Sequence, residues 1–389
     1  MKHWKADLIL VALLSSIVAL AAAQESTPAD AMALEQQGKF QDAADAWRAV
    51  IKHNPKDAAA FASLGVVLSK DQKYREAAEA YRKALALNPK LPGVELNLGL
   101  AEFKQGHFRS ASSALRAALA ADPSNGQART LLGLSYYGAQ EFAEATKYLK
   151  PAAQSDPENG ELHRVLAQSC LWAKNYPCAL EEFRRLLQQN PDSAQAHILT
   201  GEALDGLGKT SEAIAEFQAA AQAAPGEPNV HFGLGYLYWK SHQFDDARRE
   251  FEAELTVDPN NAQALAYLGD IAMKTNHPED AVIFLRKAVR LKNDIRIASI
   301  DLGVILAEQK QYPGAIAALQ HAIALDPAEP DAHYRLGRIY QEMGKTVESQ
   351  KEFARVRELR EKEDKASEDL VRKMSSSPPA LNSPEEHPN

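Results

Sequence analysis

The sequence predicts an all-α fold, an α-solenoid of about ten helix-turn-helix repeats of 34 residues each. Three observations carry this. Pro55, Pro89, Pro123, Pro157, Pro191, Pro225, Pro259 and Pro327 are spaced by 34 residues, except for the last interval, which skips Asn293. With the proline at position 32 of each unit, glycine recurs at position 8: Gly65, Gly99, Gly133, Gly201, Gly235, Gly269, Gly303 and Gly337. Alanine recurs at position 20, from Ala43 to Ala315. A fixed period of this length is the mark of supersecondary units that bury their apolar faces by stacking on one another.

Within each unit, apolar residues recur three and four apart over two stretches, as on two amphipathic helices. Helix A is expected over about positions 2–14 and helix B over about 17–30. A glycine inside a helix costs about 1 kcal/mol against alanine. Its recurrence at position 8 therefore predicts a compensating close approach, read here as glycine 8 of helix A against alanine 20 of helix B. Position 17 is aromatic in seven units (Phe40, Tyr74, Phe108, Phe142, Tyr176, Phe244 and Tyr312). The proline at 32 ends helix B, because it cannot continue the hydrogen-bond ladder. Asn125, Asn159, Ser193 and Asn261 at position 34 suit the N-cap of the next helix A. The first unit departs from the pattern, with Pro28 at position 5 and Ala31 at position 8. Its helix A is expected to be short and to start near Ala29.

LG at positions 7–8, alanine at 20, proline at 32 and an aromatic or leucine at 24 resemble the tetratricopeptide repeat family. The aromatics at 24 are Trp47, Tyr81, Phe183, Phe217, Phe251 and Phe353. The resemblance covers about residues 24–363 and is specific for fold, not for function. It implies a right-handed superhelix whose concave side is lined by helix A, mainly at positions 2, 5, 9, 12 and 13. It also implies a non-enzymatic scaffold or adaptor. Position 12 reads Phe103, Tyr137, Leu171, Asp205, Trp239, Met273, Ala307 and Gln341. Trp172, Phe232, Tyr236, Tyr334 and Arg338 are neighbouring candidates. One reading is a groove for an extended peptide or protein segment, since aromatics and Arg dominate binding energy at interfaces. A second is packing between adjacent A helices. A third is a carbohydrate platform, because exported proteins resembling this one serve exopolysaccharide or outer-membrane assembly. The apolar anchors fall in the middle repeats, and Asp301, Glu308, Asp331, Arg335 and Glu342 join Arg338 toward the C-terminal end.

The expected organisation is a leader at 1–23, an atypical first repeat at 24–57 and nine repeats over 58–363. A charged helical extension at 364–373 and a disordered Ser- and Pro-rich tail at 374–389 follow. In the leader, Lys2 and Lys5 precede an apolar run from Leu8 to Ala23, short of the roughly 20 residues of a spanning helix. Ala21 and Ala23 fit a signal-peptidase site. The expectation is a cleaved export signal and a periplasmic or secreted protein; an uncleaved membrane anchor is the alternative. Export is compatible with a disulfide between Cys170 and Cys178, at positions 11 and 19 of one unit. The alternative there is two small buried residues.

Other chemistry finds little support. GKT occurs at Gly208-Lys209-Thr210 and Gly344-Lys345-Thr346. Ala203 and Ile339 stand where a phosphate-binding loop needs its first glycine, and both runs fall in the turn inside a repeat. His163, His197, His231 and His333 all occupy position 4, on the order of 10 Å apart in stacked hairpins. That is too far for one zinc centre, so they read as partly buried packing residues. With a formal charge of −8 and no basic tract, the chain lacks the footprint of a nucleic-acid binder. No enzyme motif, metal site or cofactor is expected.

Overall fold

The computed structural model describes residues 26–376, which contain twenty α-helices and no strand. They divide into two compact units at Pro191 and Asp192. The first holds α1 (Pro28–Gln36), α2 (Phe40–His53), α3 (Ala58–Lys70), α4 (Tyr74–Leu87), α5 (Val94–Lys104), α6 (Phe108–Ala121), α7 (Gly126–Gly138), α8 (Phe142–Ser155), α9 (Gly160–Trp172) and α10 (Tyr176–Gln189). The second holds α11 (Ala194–Gly206), α12 (Thr210–Ala223), α13 (Val230–Lys240), α14 (Phe244–Val257), α15 (Ala262–Lys274), α16 (Pro278–Leu291), α17 (Arg296–Glu308), α18 (Tyr312–Leu325), α19 (Pro330–Glu342) and α20 (Thr346–Ser376). Odd-numbered helices are helix A of a repeat and even-numbered ones helix B. Each pair packs as a hairpin, so the solenoid of 34-residue repeats is what forms.

The glycine at position 8 does permit close approach, but its main partner is position 24, not the alanine at 20. A Cβ built on Gly65 would lie 2.5 Å from Tyr81, and one on Gly235 would lie 2.8 Å from Phe251. The same pairing joins Gly99 to Leu115, Gly133 to Leu149 and Gly303 to Leu319. Alanine 20 contributes its carbonyl alongside, 3.3 Å from that Cβ position at Gly201 and Gly303. The large side chain of helix B thus lies across the bare backbone of helix A. Tyr81, Leu115, Leu149, Phe183, Phe251, Leu285 and Leu319 are all essentially fully buried there.

Every A–B turn uses one residue in the left-handed region at position 15. Four are glycine (Gly38, Gly106, Gly208 and Gly344), and six are Gln72, Gln140, Lys174, His242, Asn276 and Lys310, with φ between 58° and 76° across the set. Both GKT runs begin on this turn residue. Helix B stops at position 30, and residue 31 turns extended, as Asn88 does with φ −140° and ψ 94°. Where a proline follows, it reinforces this end by disfavouring the α region for the residue before it. Lys292 adopts φ −149° and ψ 112° ahead of Asn293, so the repeat keeps its helix end where the proline is missing.

The expected N-caps at Asn125, Asn159, Ser193 and Asn261 each accept a backbone N–H from the first turn of the next helix. Helix α13 has no such cap, because Asn229 before it is left-handed with φ 68°. Glu254, fully buried on α14, replaces it. Its carboxylate accepts from the backbone N–H of Asn229 at 3.2 Å and of Phe232 at 3.1 Å, and from Asn261 Nδ2 at 3.0 Å. A carboxylate at a helix N-terminus is favoured by the orphan N–H groups and the dipole. Helix α1 starts at Pro28, where Thr27 and Asp30 form a reciprocal capping box.

At the far end α20 runs unbroken from Thr346 to Ser376. The charged extension is therefore a continuation of the last helix B, and the helix enters the first three residues of the segment expected to be disordered. No proline or glycine interrupts it before Pro378. Residues 377–389 and the leader at 1–23 lie outside the described residues.

The four position-4 histidines do more than pack. Each pairs through Nδ1 with the glutamate at position 23 of its own helix B: His163 with Glu182 at 2.5 Å, His197 with Glu216 at 2.7 Å, His231 with Glu250 at 2.8 Å and His333 with Glu352 at 2.6 Å. The signal was present in the sequence, since glutamate occupies position 23 only in the four repeats with histidine at position 4.

Cys170 at the end of α9 and Cys178 in the first turn of α10 form a disulfide, with Cα atoms 5.7 Å apart. It closes a short loop across one hairpin. The chain-entropy relation gives about 2–3 kcal/mol for a loop of this size. Cys170→Ser with Cys178→Ser is therefore expected to lower the melting temperature under oxidising conditions. It should bring it to that of the reduced wild-type chain, as read by circular dichroism with and without a thiol reductant.

Candidate binding groove

Within each unit the A helices of successive repeats touch along two repeating lines. Position 12 of one repeat meets position 13 of the next, as in Glu35–Lys70 and Asp205–Lys240, paired at 2.8 Å and 2.7 Å. Position 12 also meets position 9 of the next. Tyr137 donates its hydroxyl to Gln168 at 2.7 Å, and Trp239 donates Nε1–H to Asp270 at 2.5 Å. Residues at 9, 12 and 13 therefore form one continuous A-helix face within a unit; seven of the nine site residues expected from the sequence lie at these positions, and Phe232 and Tyr334 lie at position 5.

In the first unit the structure brings Tyr137 and Trp172 together. Their rings stack 5.8 Å apart, and Phe142 closes the group 4.8 Å from Trp172. Trp172 remains 46 % exposed, so one face of this aromatic group is open to water. Phe103 is half-buried and meets Phe108 edge-on at 5.7 Å, apart from that group.

In the second unit Phe232, Tyr236 and Trp239 converge on Tyr267, which the sequence reading did not single out. Trp239 and Tyr267 are 4.9 Å apart, Tyr236 and Tyr267 5.7 Å, and Phe232 and Tyr267 6.0 Å. Tyr267 also stacks on the buried Phe251 at 5.3 Å, and so joins the A-helix face to the core. Burial pushes its hydroxyl pKa up to about 12, so the group is a neutral phenol at physiological pH. Tyr267 sits at position 6, outside the positions expected to face inward. The only available signal was its aromatic type beside two other aromatic repeats. Met273 is half-buried against the core cluster of this unit.

Tyr334 and Arg338 stand on α19, both exposed. With Val304, Ala307, Glu308 and Glu342 they line an open cavity of about 290 Å³. Tyr334 is backed by Phe353 at 5.9 Å. Leu319 and Ile339 complete its apolar lining, and two acids and two arginines share the wall with Tyr334, which makes it a mixed recess.

Comparison with known proteins agrees with the repeat fold. A cytochrome c-type biogenesis protein H TPR-domain model matches residues 29–163. Tetratricopeptide-repeat models match 136–203, 206–253, 232–294, 303–344 and 331–360. The chain is a tetratricopeptide-repeat protein. None of the curated proteins matches it significantly in sequence. Among solved structures, the Cut9–Hcn1 hetero-tetramer of the APC/C is similar at 15 % identity, over 88 % of this chain and 82 % of that one, with a TM-score of 0.51. YrrB, described as a TPR protein with an unusual peptide-binding site, matches at 22 % identity over 46 % of this chain and 93 % of its own, with a TM-score of 0.39. MamA matches at 24 % identity over 42 % and 96 %, with a TM-score of 0.37. The Cut9 likeness bears on fold alone, and TPR hairpins place positions 9, 12 and 13 on one face irrespective of what that face holds.

Proposed function

We propose that this TPR protein is a non-enzymatic interaction scaffold that holds an extended peptide or protein segment against the A-helix face. The observation that carries this is the partial exposure of aromatic groups already held rigid by their neighbours. Trp172 is braced by Tyr137 and Phe142, and Tyr334 by Phe353. Pre-braced aromatics lose little freedom on binding, and such residues concentrate binding energy. The charged side chains in the recess around Arg338 supply contacts that select among partners.

The leader expected at 1–23 and the Cys170–Cys178 disulfide both support export to an oxidising compartment. A carbohydrate platform is the competing use of the same aromatics. The deciding experiment offers the protein a random 12-residue peptide library and a glycan array side by side. The peptide reading expects retention of peptides and none of glycans; the reverse result would replace it. Tyr334→Ala with Arg338→Ala is expected to weaken retained peptides by about tenfold or more. Thermal stability should fall little, because both side chains are exposed.

A further inference from the structure

Three carboxylates cross the A-helix face of the second unit: Asp270 at position 9 of α15, Asp301 at position 6 of α17 and Asp331 at position 2 of α19. Each lies one repeat further on and about one turn nearer the helix start, so the row runs obliquely over three neighbouring A helices. The outer two are satisfied within the protein. Asp270 accepts from Trp239 Nε1 at 2.5 Å and from Lys274 Nζ. Asp331 accepts from Arg335 Nε at 3.0 Å and 3.1 Å through its two oxygens.

Asp301 differs. It is 8 % exposed, and its buried Oδ2 has no hydrogen-bond partner among the described residues. The charged groups that face it are Asp270 and Lys274 from α15 and Asp331 and Arg335 from α19. Two acids cancel two bases, and both bases are engaged elsewhere, so no cation is left for Asp301. A buried carboxylate without a partner is costly, whereas an apolar side chain of similar size would fill the same space at little cost. A group held in this state calls for a partner outside the chain.

We propose that Asp301 is the seat for a basic side chain, the ammonium of Lys or the guanidinium of Arg, carried by the segment bound on this face. The proposal rests on the reading of the A-helix face as a peptide-binding surface and says what that peptide must contain. Trp239, next along the same row on α13, and Tyr267, one turn before Asp270 on α15, pack together and offer a site for an aromatic or aliphatic residue. Neighbouring helices are about 8–10 Å apart, and an extended chain advances about 3.3 Å per residue. The apolar and basic residues should therefore be separated by roughly three to six positions. A metal ion is a poorer occupant, since among the described residues no group of three His, Cys, Asp or Glu converges as ligands would. Burial and the neighbouring Asp270 push the Asp301 carboxyl up to about 7. A bound cation favours the ionised form, so binding should strengthen as pH rises from 6 to 8 and release a proton.

The test presents the full chain with positional libraries of neutral-capped 12-residue peptides, each with one fixed residue in a degenerate background. Wild type is expected to retain libraries with fixed Lys or Arg about tenfold over fixed Glu at pH 8, and less strongly at pH 6. Asp301→Asn should abolish that preference while still retaining libraries with a fixed aromatic. Asp205→Asn, at a carboxylate on the same face that is paired with Lys240 and does not face Asp301, should leave the preference in place. Circular dichroism verifies the fold of each variant. A basic preference that survives in Asp301→Asn overturns the proposal, as does wild-type retention of aromatic-bearing peptides without any basic preference. Retention of no peptide at all overturns the peptide-face reading itself, and this proposal with it.

Discussion

Truncating Phe251 to alanine is expected to destabilise the second unit by about 3–5 kcal/mol, the range for removing a fully buried phenylalanine. The ring is completely enclosed, stacked on Tyr267 at 5.3 Å and tilted against Phe232 at 5.7 Å. Losing it empties the space over Gly235 and removes the support behind the aromatic group of the A-helix face. Gly235→Ala attacks the same contact from the other side. Its new Cβ would sit 2.8 Å from two ring atoms of Phe251, a fully buried side chain. Overpacking of this kind costs typically 1–3 kcal/mol, against the gain of about 1 kcal/mol from replacing a mid-helix glycine. The two changes are therefore expected to be non-additive. In the Phe251→Ala background the clash is gone, and Gly235→Ala should stabilise by up to about 1 kcal/mol. Urea unfolding of the four proteins of this cycle gives the coupling. Strict additivity would show that the glycine at position 8 is not retained for the residue at position 24.

That contact also shows how far the sequence could be read. The period of 34 and the recurrence of glycine 8, alanine 20 and a large residue at 24 were enough for the number of hairpins and the helix ends, because those are local and repeated ten times. Which residue sits against the glycine was not legible, because alanine 20 and residue 24 lie one turn apart on the same helix face. Only the crossing of the two helices decides between them. The histidine–glutamate clamps were legible in principle. The co-occurrence of His163 with Glu182, His197 with Glu216, His231 with Glu250 and His333 with Glu352 is a pattern inside a single sequence. It becomes visible only when positions 4 and 23 are compared with each other, and reading each column alone conceals it. On the candidate face, Tyr137, Trp172, Tyr236 and Trp239 follow from aromatic type at positions 9, 12 and 13. Tyr267 and Asp301 sit at position 6, on the shoulder between face and core. Their role depends on how neighbouring A helices pack, and no spacing rule within one repeat supplies that.

Asp301→Asn is expected to make the second unit more stable at pH 8 and to leave it nearly unchanged at pH 4. The Asp301 carboxyl is pushed up to about 7 by burial first and by Asp270 second. In the unfolded chain the same group titrates near its ordinary 3.8. Between these two values the folded state holds a proton that the unfolded state has lost, so stability falls as pH rises through this window. Below pH 4 both states are protonated and the group contributes no penalty. Above about pH 7 the full penalty applies, on the order of 4 kcal/mol for a shift of this size. Asparagine carries no charge at either pH and removes the dependence. For a unit of this length the difference corresponds to a rise in melting temperature on the order of 10 °C at pH 8. Other carboxylates shift in the opposite direction, as at Glu358, which its contacts with Lys362 and Arg355 hold at about 2. They change the stability of wild type and variant alike, so the gap between the two melting curves isolates Asp301. A gap that does not widen from pH 4 to pH 8 would mean that the carboxylate finds a partner in the free protein. A gap that widens, and then closes when a basic peptide is added at pH 8, would show that the stability forgone at this position is recovered on binding.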